Sequence, residues 1–320
     1  MKGEFEFIQD IRAQFHAPDG VLGIGDDCAV IPQEHGMETL VSTDMLIEGS
    51  HFLLEDITPY QLGWKSAAVN FSDIAAMGGE PVGSFLALAL PRSLPSGWTD
   101  EFMRGYRDIS ERYGFPLLGG DTTASPQSLC VCVTVLGRAE AGRSIKRSTA
   151  RCGDLLCVTG TLGDSAAGLH ALLNGNKTCN ASVQCLIQRH YLPQPRISEG
   201  RALSACGYVH AMMDISDGMG SDLRHILDES GVGAYVELER IPLSEELKAY
   251  CQCQGLDPYD FALDGGEDYE LLFTLSPDTP RTVLDALAGK FEYRVVGHIT
   301  EGEKLVWTGS DKDYKGFRHF

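Results

Sequence analysis

Apolar positions fall into two kinds of short run along the chain. Leu129 to Leu136 (L-C-V-C-V-T-V-L), Phe85 to Leu90 (F-L-A-L-A-L), Glu38 to Asp44 and Val21 to Ile31 are rich in β-formers and predict strands, with a shorter one at Phe115 to Leu118. Tyr60 to Met77 carries the small and apolar residues of a packed helix. Thr99 to Tyr113 predicts a second helix, and residues 1–15 a third with Phe5, Ile8, Ile11 and Phe15 on its apolar face. The stretch G-R-S-I-K-R-S-T-A-R-C-G-D then breaks the pattern, and we place a boundary there, giving segments 1–142 and 143–320. Beyond it, L-L-C-V-T-G, Ala211 to Ile215, Ala234 to Leu238, Glu270 to Thr274 and Arg294 to Ile299 predict strands. Asp164 to Leu173, Val183 to Arg189, Ser198 to Ala205 and Ser221 to Ser230 predict helices. Strands and helices interleave in both segments, which points to mixed α/β domains.

Charge narrows the partners. The 320 residues hold 26 Lys and Arg against 45 Asp and Glu, a net −19. Such a chain repels a polyphosphate strand and an anionic membrane surface, which argues against both as partners. Phe85 to Leu90 is the most apolar stretch; it stops at Pro91 and is too short to span a bilayer. The start, M-K-G-E-F-E-F, has acids where an export signal has an apolar block, and the ten cysteines form no C-x-x-C pair. Neither a disulfide framework nor a zinc site is expected, and the location expected is the cytoplasm.

The informative pattern is acidic. Carboxylates stand beside Gly, Ser or Thr at the ends of apolar runs: G-I-G-D-D (Asp26, Asp27), V-S-T-D (Ser42, Thr43, Asp44), V-N-F-S-D (Asn70, Asp73), L-G-G-D-T-T (Gly120, Asp121), M-D-I-S-D-G (Asp214, Ser216, Asp217) and D-G-G-E-D-Y-E (Asp264, Glu267, Asp268). Any one of these is ordinary turn or cap chemistry. Six together form a set of hard oxygen ligands of the kind Mg2+ shares with substrate phosphates, and like charges this dense need a cation.

Other phosphate and metal motifs are missing or weaker. Asp214, Ser216 and Gly218 superficially resemble a calcium loop, but the twelfth position is His225 and not Glu. No G-x-x-x-x-G-K-[ST] occurs. Gly160 to Ser165 (G-T-L-G-D-S) reads either as a phosphate cradle at a helix start or as plain capping by Asp164 or Ser165. Arg143, Lys146, Arg147 and Arg151 make a basic island, either a solvated loop or a phosphate partner. The aromatic tail around Phe317 either packs or covers a planar ring.

Taken in order, G-I-G-D-D-C-A, S-T-D-M-L-I-E-G-S-H-F, K-S-A-A-V-N-F-S-D-I-A-A-M-G, G-G-D-T-T, V-T-G-T-L-G-D-S-A-A-G-L, D-I-S-D-G-M-G-S-D-L and G-G-E-D-Y-E-L-L-F-T resemble the thiamine-monophosphate kinase family, within the aminoimidazole ribonucleotide synthetase-like superfamily. The resemblance runs over nearly the whole chain. It implies an α/β (α+β) two-domain fold and a homodimer in which the N-terminal sheet pairs with its twin into a barrel, with the active site in the cleft between the domains. It implies direct transfer of the γ-phosphoryl group of ATP, as co-substrate, to thiamine monophosphate, assisted by several Mg2+ ions. Carried over by residue, Asp27, Ser42, Thr43, Asp44, Asp73, Asp121, Asp214 and Asp217 match metal positions. Gly120, Asp121, Arg147 and Ser216 match ATP contacts, and His51, Glu267 and Phe317 match contacts to thiamine monophosphate. Asp44, Asp73, Asp121 and Arg147 are the expected catalytic set. The tail departs from the family, since Arg318 follows Phe317.

Two rivals differ from this reading. Another ATP-using synthetase of the superfamily shares the looser motifs, and a selenophosphate synthetase would carry a reactive Cys in a Gly-rich N-terminal segment, where this chain has Cys28. A non-catalytic metal- and nucleotide-binding maturation partner would carry a C-terminal Cys. Here the last is Cys253.

Overall fold

A computed structural model describes residues 8–9, 12–14, 17–175 and 180–317. The first half builds a five-stranded sheet from β1 (Ala29–Gln33), β2 (Met37–Ile47), β3 (Glu80–Pro91), β4 (Leu117–Ser125) and β5 (Cys130–Glu140), in the order β1-β2-β5-β3-β4. Only β3 and β4 run parallel. Residues of β5 alternate between buried and half-buried or, at Arg138 and Glu140, exposed, as a strand with one face on a core must. Helices α1 (Pro59–Ala76) and α2 (Trp98–Tyr113) supply that core. They cross with their backbones nearly touching. A Cβ on Gly63 would sit 2.0 Å from the Phe102 carbonyl oxygen, and one on Gly105 would sit 1.9 Å from that of Tyr60.

The second half builds a six-stranded sheet, β11-β8-β10-β6-β9-β7, from β6 (Leu155–Thr159), β7 (Val209–Asp214), β8 (Gly233–Glu237), β9 (Leu271–Leu275), β10 (Tyr293–Thr300) and β11 (Leu305–Thr308). Its helices are α3 (Asp164–Leu173), α4 (Ala181–Tyr191), α5 (Ile197–Cys206), α6 (Met219–Ser230), α7 (Glu245–Gln254), α8 (Pro258–Asp264) and α9 (Arg281–Ala288). Among the described residues no helix is long and apolar enough to cross a membrane.

The two halves share α1. Every residue from Leu62 to Ser72 is buried, because α1 has β2 and β5 on one flank and α4, α5 and β7 on another. Trp64 Nε1 donates to the Pro193 carbonyl across this seam at 2.8 Å. One apolar cluster runs from Leu40, Phe71 and Val133 through to Cys157 and Phe273. A second lies between the six-stranded sheet and α6 and α8, around Leu156, Ile215, Leu223 and Val236.

Several expectations shift. Val21 to Ile31 is a bend with one bridge, Leu22 to Val30, and the strand starts only at Ala29, because G-I-G-D-D turns the chain. G-G-D-T-T lies inside β4, where pairing with β3 overrides the low strand propensity of glycine. A Cβ on Gly120 would sit 1.8 Å from the Leu86 carbonyl oxygen. Helices α7, α8 and α9 and strand β11 were not expected. The N-terminal helix falls largely outside the described residues, which leave out Phe5, Ile11 and Phe15, while Ile8 is exposed.

Candidate active site

Three carboxylates converge where the halves meet. Asp27 comes from the turn before β1, Asp73 from the last turn of α1 and Asp214 from the end of β7, each offering an oxygen within 4.8 Å of the others. Helix α1 places Asp73 through a polar stripe at i, i+4 and i+7 on an otherwise apolar rod: Ser66, Asn70 and Asp73. Asn70 Nδ2 donates to the Ser66 carbonyl at 2.9 Å, and its Oδ1 accepts the Asp44 backbone N–H at 3.0 Å. Asp44 thereby stands at the mouth of the recess. Its residue surface reaches solvent, yet the surrounding walls, and then Asp27, raise its pKa.

The electrostatics describe an uncompensated cluster. Burial first, and then Asp44, Asp214 and Asp27, raise the Asp73 carboxyl well above its ordinary value, against the Ser42 hydroxyl that hydrogen-bonds it. Asp214 is pushed up to about 7 by burial and then by Asp27. Asp26 is pushed up to about 7 by burial and then by Asp27. The nearest cation is Arg147, which pairs through Nη2 with Asp27 and donates its backbone N–H to Asp26 at 3.2 Å. Even so, Asp27 Oδ2 is buried with no hydrogen-bond partner. Hard oxygens, raised pKa values and an orphaned buried oxygen are what a divalent cation site needs.

A second group lies beside it. Glu267 sits in the left-handed region at φ 65° and its backbone N–H bonds the Ser216 carbonyl at 2.7 Å. Its carboxylate meets Lys65 and His190. Burial alone would raise its pKa; Lys65 and then His190, with a smaller contribution from His51, outweigh that and hold it below the usual carboxylate value. His51 accepts the Ile47 N–H on Nδ1 at 3.0 Å. The Phe317 backbone N–H reaches the Asp217 carbonyl at 2.8 Å, and its ring is half exposed. The Asp217 N–H in turn bonds Asp222 Oδ2 at 3.2 Å.

Strand geometry separates the expected residues. Ser42 and Asp44 face Asp73 on the inner side of the sheet. Thr43 lies on the outer face and bonds the Val133 carbonyl and the Thr134 hydroxyl, both at 3.0 Å. Asp121 pairs with Ala87, whose β5 partner is Cys132 and, beyond it, Met45. It therefore lies on that outer face too, three strands from β2, or roughly 14 Å along the sheet. Within one subunit Asp121 and the Thr43 hydroxyl do not reach the three-carboxylate group. Asp217 is outside that group as well. Gly120 lies beside Asp121 on β4, and Ser216 on the turn after β7.

Two local readings resolve. The G-T-L-G-D-S helix start is capped neither by Asp164 nor by Ser165 but by Asp268, which accepts the Gly163 and Ser165 N–H groups at 2.7 and 3.4 Å. A carboxylate therefore fills the place a phosphate would take. Cys28 is buried, its thiol points at the Asp73 carbonyl at 3.5 Å, and burial and the nearby acids push its pKa well up. It is not a reactive thiol of the kind a selenophosphate synthetase reading requires.

Sequence reasoning did not single out Lys65, His190 or Asp222, and it named Asp268 only as part of the acidic pattern and not as the cap of α3. The V-N-F-S-D motif, with Asn70 and Asp73, signalled that α1 carries chemistry as well as packing.

Comparison with known proteins identifies the family of the chain. Residues 25–139 match the AIR synthase related protein N-terminal domain, and residues 151–309 match the corresponding C-terminal domain. The thiamine-monophosphate kinase of Escherichia coli (strain K12) is 39% identical over 328 residues, covering 99% of this chain and 98% of that protein. That of Aquifex aeolicus is 38% identical over 319 residues, with the same coverage. A solved structure described as AaThiL complexed with AMPPCP and TMP superposes with a TM-score of 0.89 at 36% identity, covering 99% of this chain and 97% of that one. A HypE–HypF complex aligns at TM-score 0.74 and 16% identity over 98% of this chain and 97% of that one, which shows the shared fold alone. With two AIR synthase related domains, full-length relatives and a matching solved structure, the chain belongs to the thiamine-monophosphate kinase family.

Proposed function

We propose that the chain transfers the γ-phosphoryl group of ATP to the phosphate of thiamine monophosphate, giving thiamine diphosphate and ADP. The observation that carries this is the juxtaposition of the Asp27–Asp73–Asp214 group, with its orphaned Asp27 oxygen, and the separate Glu267–His51 group. The relative that binds an ATP analogue together with TMP supports it.

An acceptor phosphate oxygen attacks the γ-phosphorus. A new P–O bond forms as the bond to the bridging oxygen breaks, and ADP leaves with that electron pair. No phosphoenzyme is needed. Asp27, Asp73 and Asp214, with Asp44 at the mouth, would hold Mg2+, which supplies the positive charge that lets two polyanions approach. Arg147 offsets part of the carboxylate charge and stands where it can also pair with a phosphate. Asn70 fixes the Asp44 backbone, and Asp222 fixes that of Asp217. Glu267, His51 and the half-exposed Phe317 ring receive the organic part of the acceptor.

We extend the reading to a homodimer. The outer face of the five-stranded sheet leaves Met45, Val82, Phe85 and Leu118 exposed, and a second copy would cover them. On this reading Gly120, Asp121 and Thr43 act from the sheet's outer face rather than in the carboxylate recess. Asp217 and Ser216 act from the turn after β7.

A coupled assay for ADP with thiamine monophosphate, ATP and Mg2+ tests the reaction, and turnover requires all three. Calorimetric titration of ATP tests the charge argument. Binding is expected in Mg2+ and lost in excess chelator, and equal affinity in both conditions would refute the carboxylate site.

A further inference from the structure

Beneath Glu267 lies a cation that the mechanism above leaves unused. Lys65 is 1% exposed in the middle of α1, and its Nζ stands 2.8 Å from Glu267 Oε1 and 3.0 Å from Oε2. Removing an ammonium group from water costs several kcal/mol unless it is paired and hydrogen-bonded. A methionine of similar reach would fill the same space without that cost, so packing does not account for a lysine here.

His190, from α4, closes the other flank. Its Nδ1 lies 3.3 Å from Glu267 Oε2 and 3.0 Å from the Ser165 hydroxyl. Both contacts use one ring nitrogen. A nucleophile–base–acid relay uses one nitrogen for each partner, so this is not such a relay. A bare lone pair on Nδ1 would face a carboxylate oxygen, so Nδ1 carries the proton and donates it.

The backbone of Glu267 is fixed as well. It lies at φ 65°, and Tyr269 two residues on lies at φ 52°. Two hydrogen bonds tie this segment to the turn after β7: Glu267 N–H to the Ser216 carbonyl at 2.7 Å, and Tyr269 N–H to the Ile215 carbonyl at 2.9 Å. A strained backbone braced from two helices presents one carboxylate in one orientation. A carboxylate has about four lone-pair positions. Lys65 takes one on each oxygen and His190 takes another, and the side chain keeps 27% of its surface exposed for a ligand.

We propose that Lys65 is a positioning residue, braced by His190, that holds Glu267 in the orientation in which it receives a hydrogen-bond-donating heteroaromatic acceptor. The inference rests on the reading of Glu267 as an acceptor contact.

Steady-state kinetics of Lys65→Met, Lys65→Arg, Glu267→Gln and the double variant Lys65→Met/Glu267→Gln test it. Lys65→Met is expected to raise KM for thiamine monophosphate roughly tenfold or more, with kcat and KM for ATP within about twofold of wild type. Lys65→Arg restores part of the loss. A merely structural role would lower the amount of active enzyme, and so kcat, without moving KM. The double variant leaves no unpaired buried charge and keeps the test open if Lys65→Met fails to fold. Its KM is expected to equal that of Glu267→Gln alone, and a further loss would overturn the proposal. An unchanged KM in Glu267→Gln overturns the reading of Glu267 and the proposal with it. A raised KM in Glu267→Gln beside an unchanged KM in folded Lys65→Met or Lys65→Arg overturns the role of Lys65 alone.

Discussion

Replacing Asp214 by asparagine removes one charge from the crowded recess and almost no volume. The Asp214 carboxyl is pushed from 3.8 to about 7 in the folded protein. Each pKa unit is worth about 1.4 kcal/mol, so its ionised form carries about 4 kcal/mol of penalty once the pH is above the folded value. That penalty is already net of the attraction of Arg147; burying the asparagine amide in the same recess carries its own desolvation cost, which offsets part of the gain. We expect a net gain of about 2 kcal/mol for the metal-free protein at pH 8. In a chain of this size that is roughly 4 °C in Tm. The sign follows from the direction of the shift. A folded value above the unfolded one means the penalty is nearly absent at pH 4, grows as the pH rises and is complete above about pH 7. The wild-type protein in chelator therefore loses stability from pH 5 to 8, and the variant loses less. With Mg2+ the order reverses: wild type gains Tm, while the variant gains little and has lost turnover. Thermal melts at pH 5 and 8, with chelator and with Mg2+, read all four states. A variant that is no more stable than wild type in chelator at pH 8, and that keeps the full Mg2+-induced rise, would falsify the account of the recess.

Two further outcomes follow from local geometry. Gly120→Ala sets a Cβ 1.8 Å from the Leu86 carbonyl oxygen and is expected to cost about 3 kcal/mol in denaturant unfolding, because backbone faces backbone and neither can yield; a loss below about 1 kcal/mol would show that β4 slides freely. His190 is held down at about 3, by burial first and then by Lys65, so the folded protein keeps it neutral while the unfolded chain protonates it below pH 6.5. Stability from this site is full above that pH and falls by about 2 kcal/mol on going to pH 5. In Mg2+ buffer His190→Gln is expected to lack this acid slope, and parallel slopes for the two proteins would remove His190 from the account.

The regular elements near the recess were legible because their patterns are strong. Glu38 to Asp44 grew into β2, Tyr60 to Met77 matches α1 within one residue at each end, and Leu129 to Leu136 grew into β5. Helices α7, α8 and α9 were not legible, being short and partly polar and shaped by the helices they pack against. In the site, motif order brought out Asp27, Asp73 and Asp214 but gave no strand face. Period-2 alternation alone separates Thr43 from Ser42 and Asp44, whereas the outward placement of Asp121 needed the register of β4 against β3. Lys65 was unreadable for a different reason. On a helix a lone lysine reads as a solvated charge, and its partner Glu267 is 202 residues away along the chain.

Helix α1 carries both ends of the proposed chemistry. Lys65, which braces Glu267, and Asp73, in the carboxylate recess, stand eight residues apart on one buried rod, or about 12 Å along its axis. The rod is a ruler. It fixes the interval between the place where phosphates are made tolerable to one another and the place where the rest of the acceptor is gripped. Selectivity by molecular length then comes built into the scaffold: a phosphate ester with a shorter or longer body can fill one end only by vacating the other.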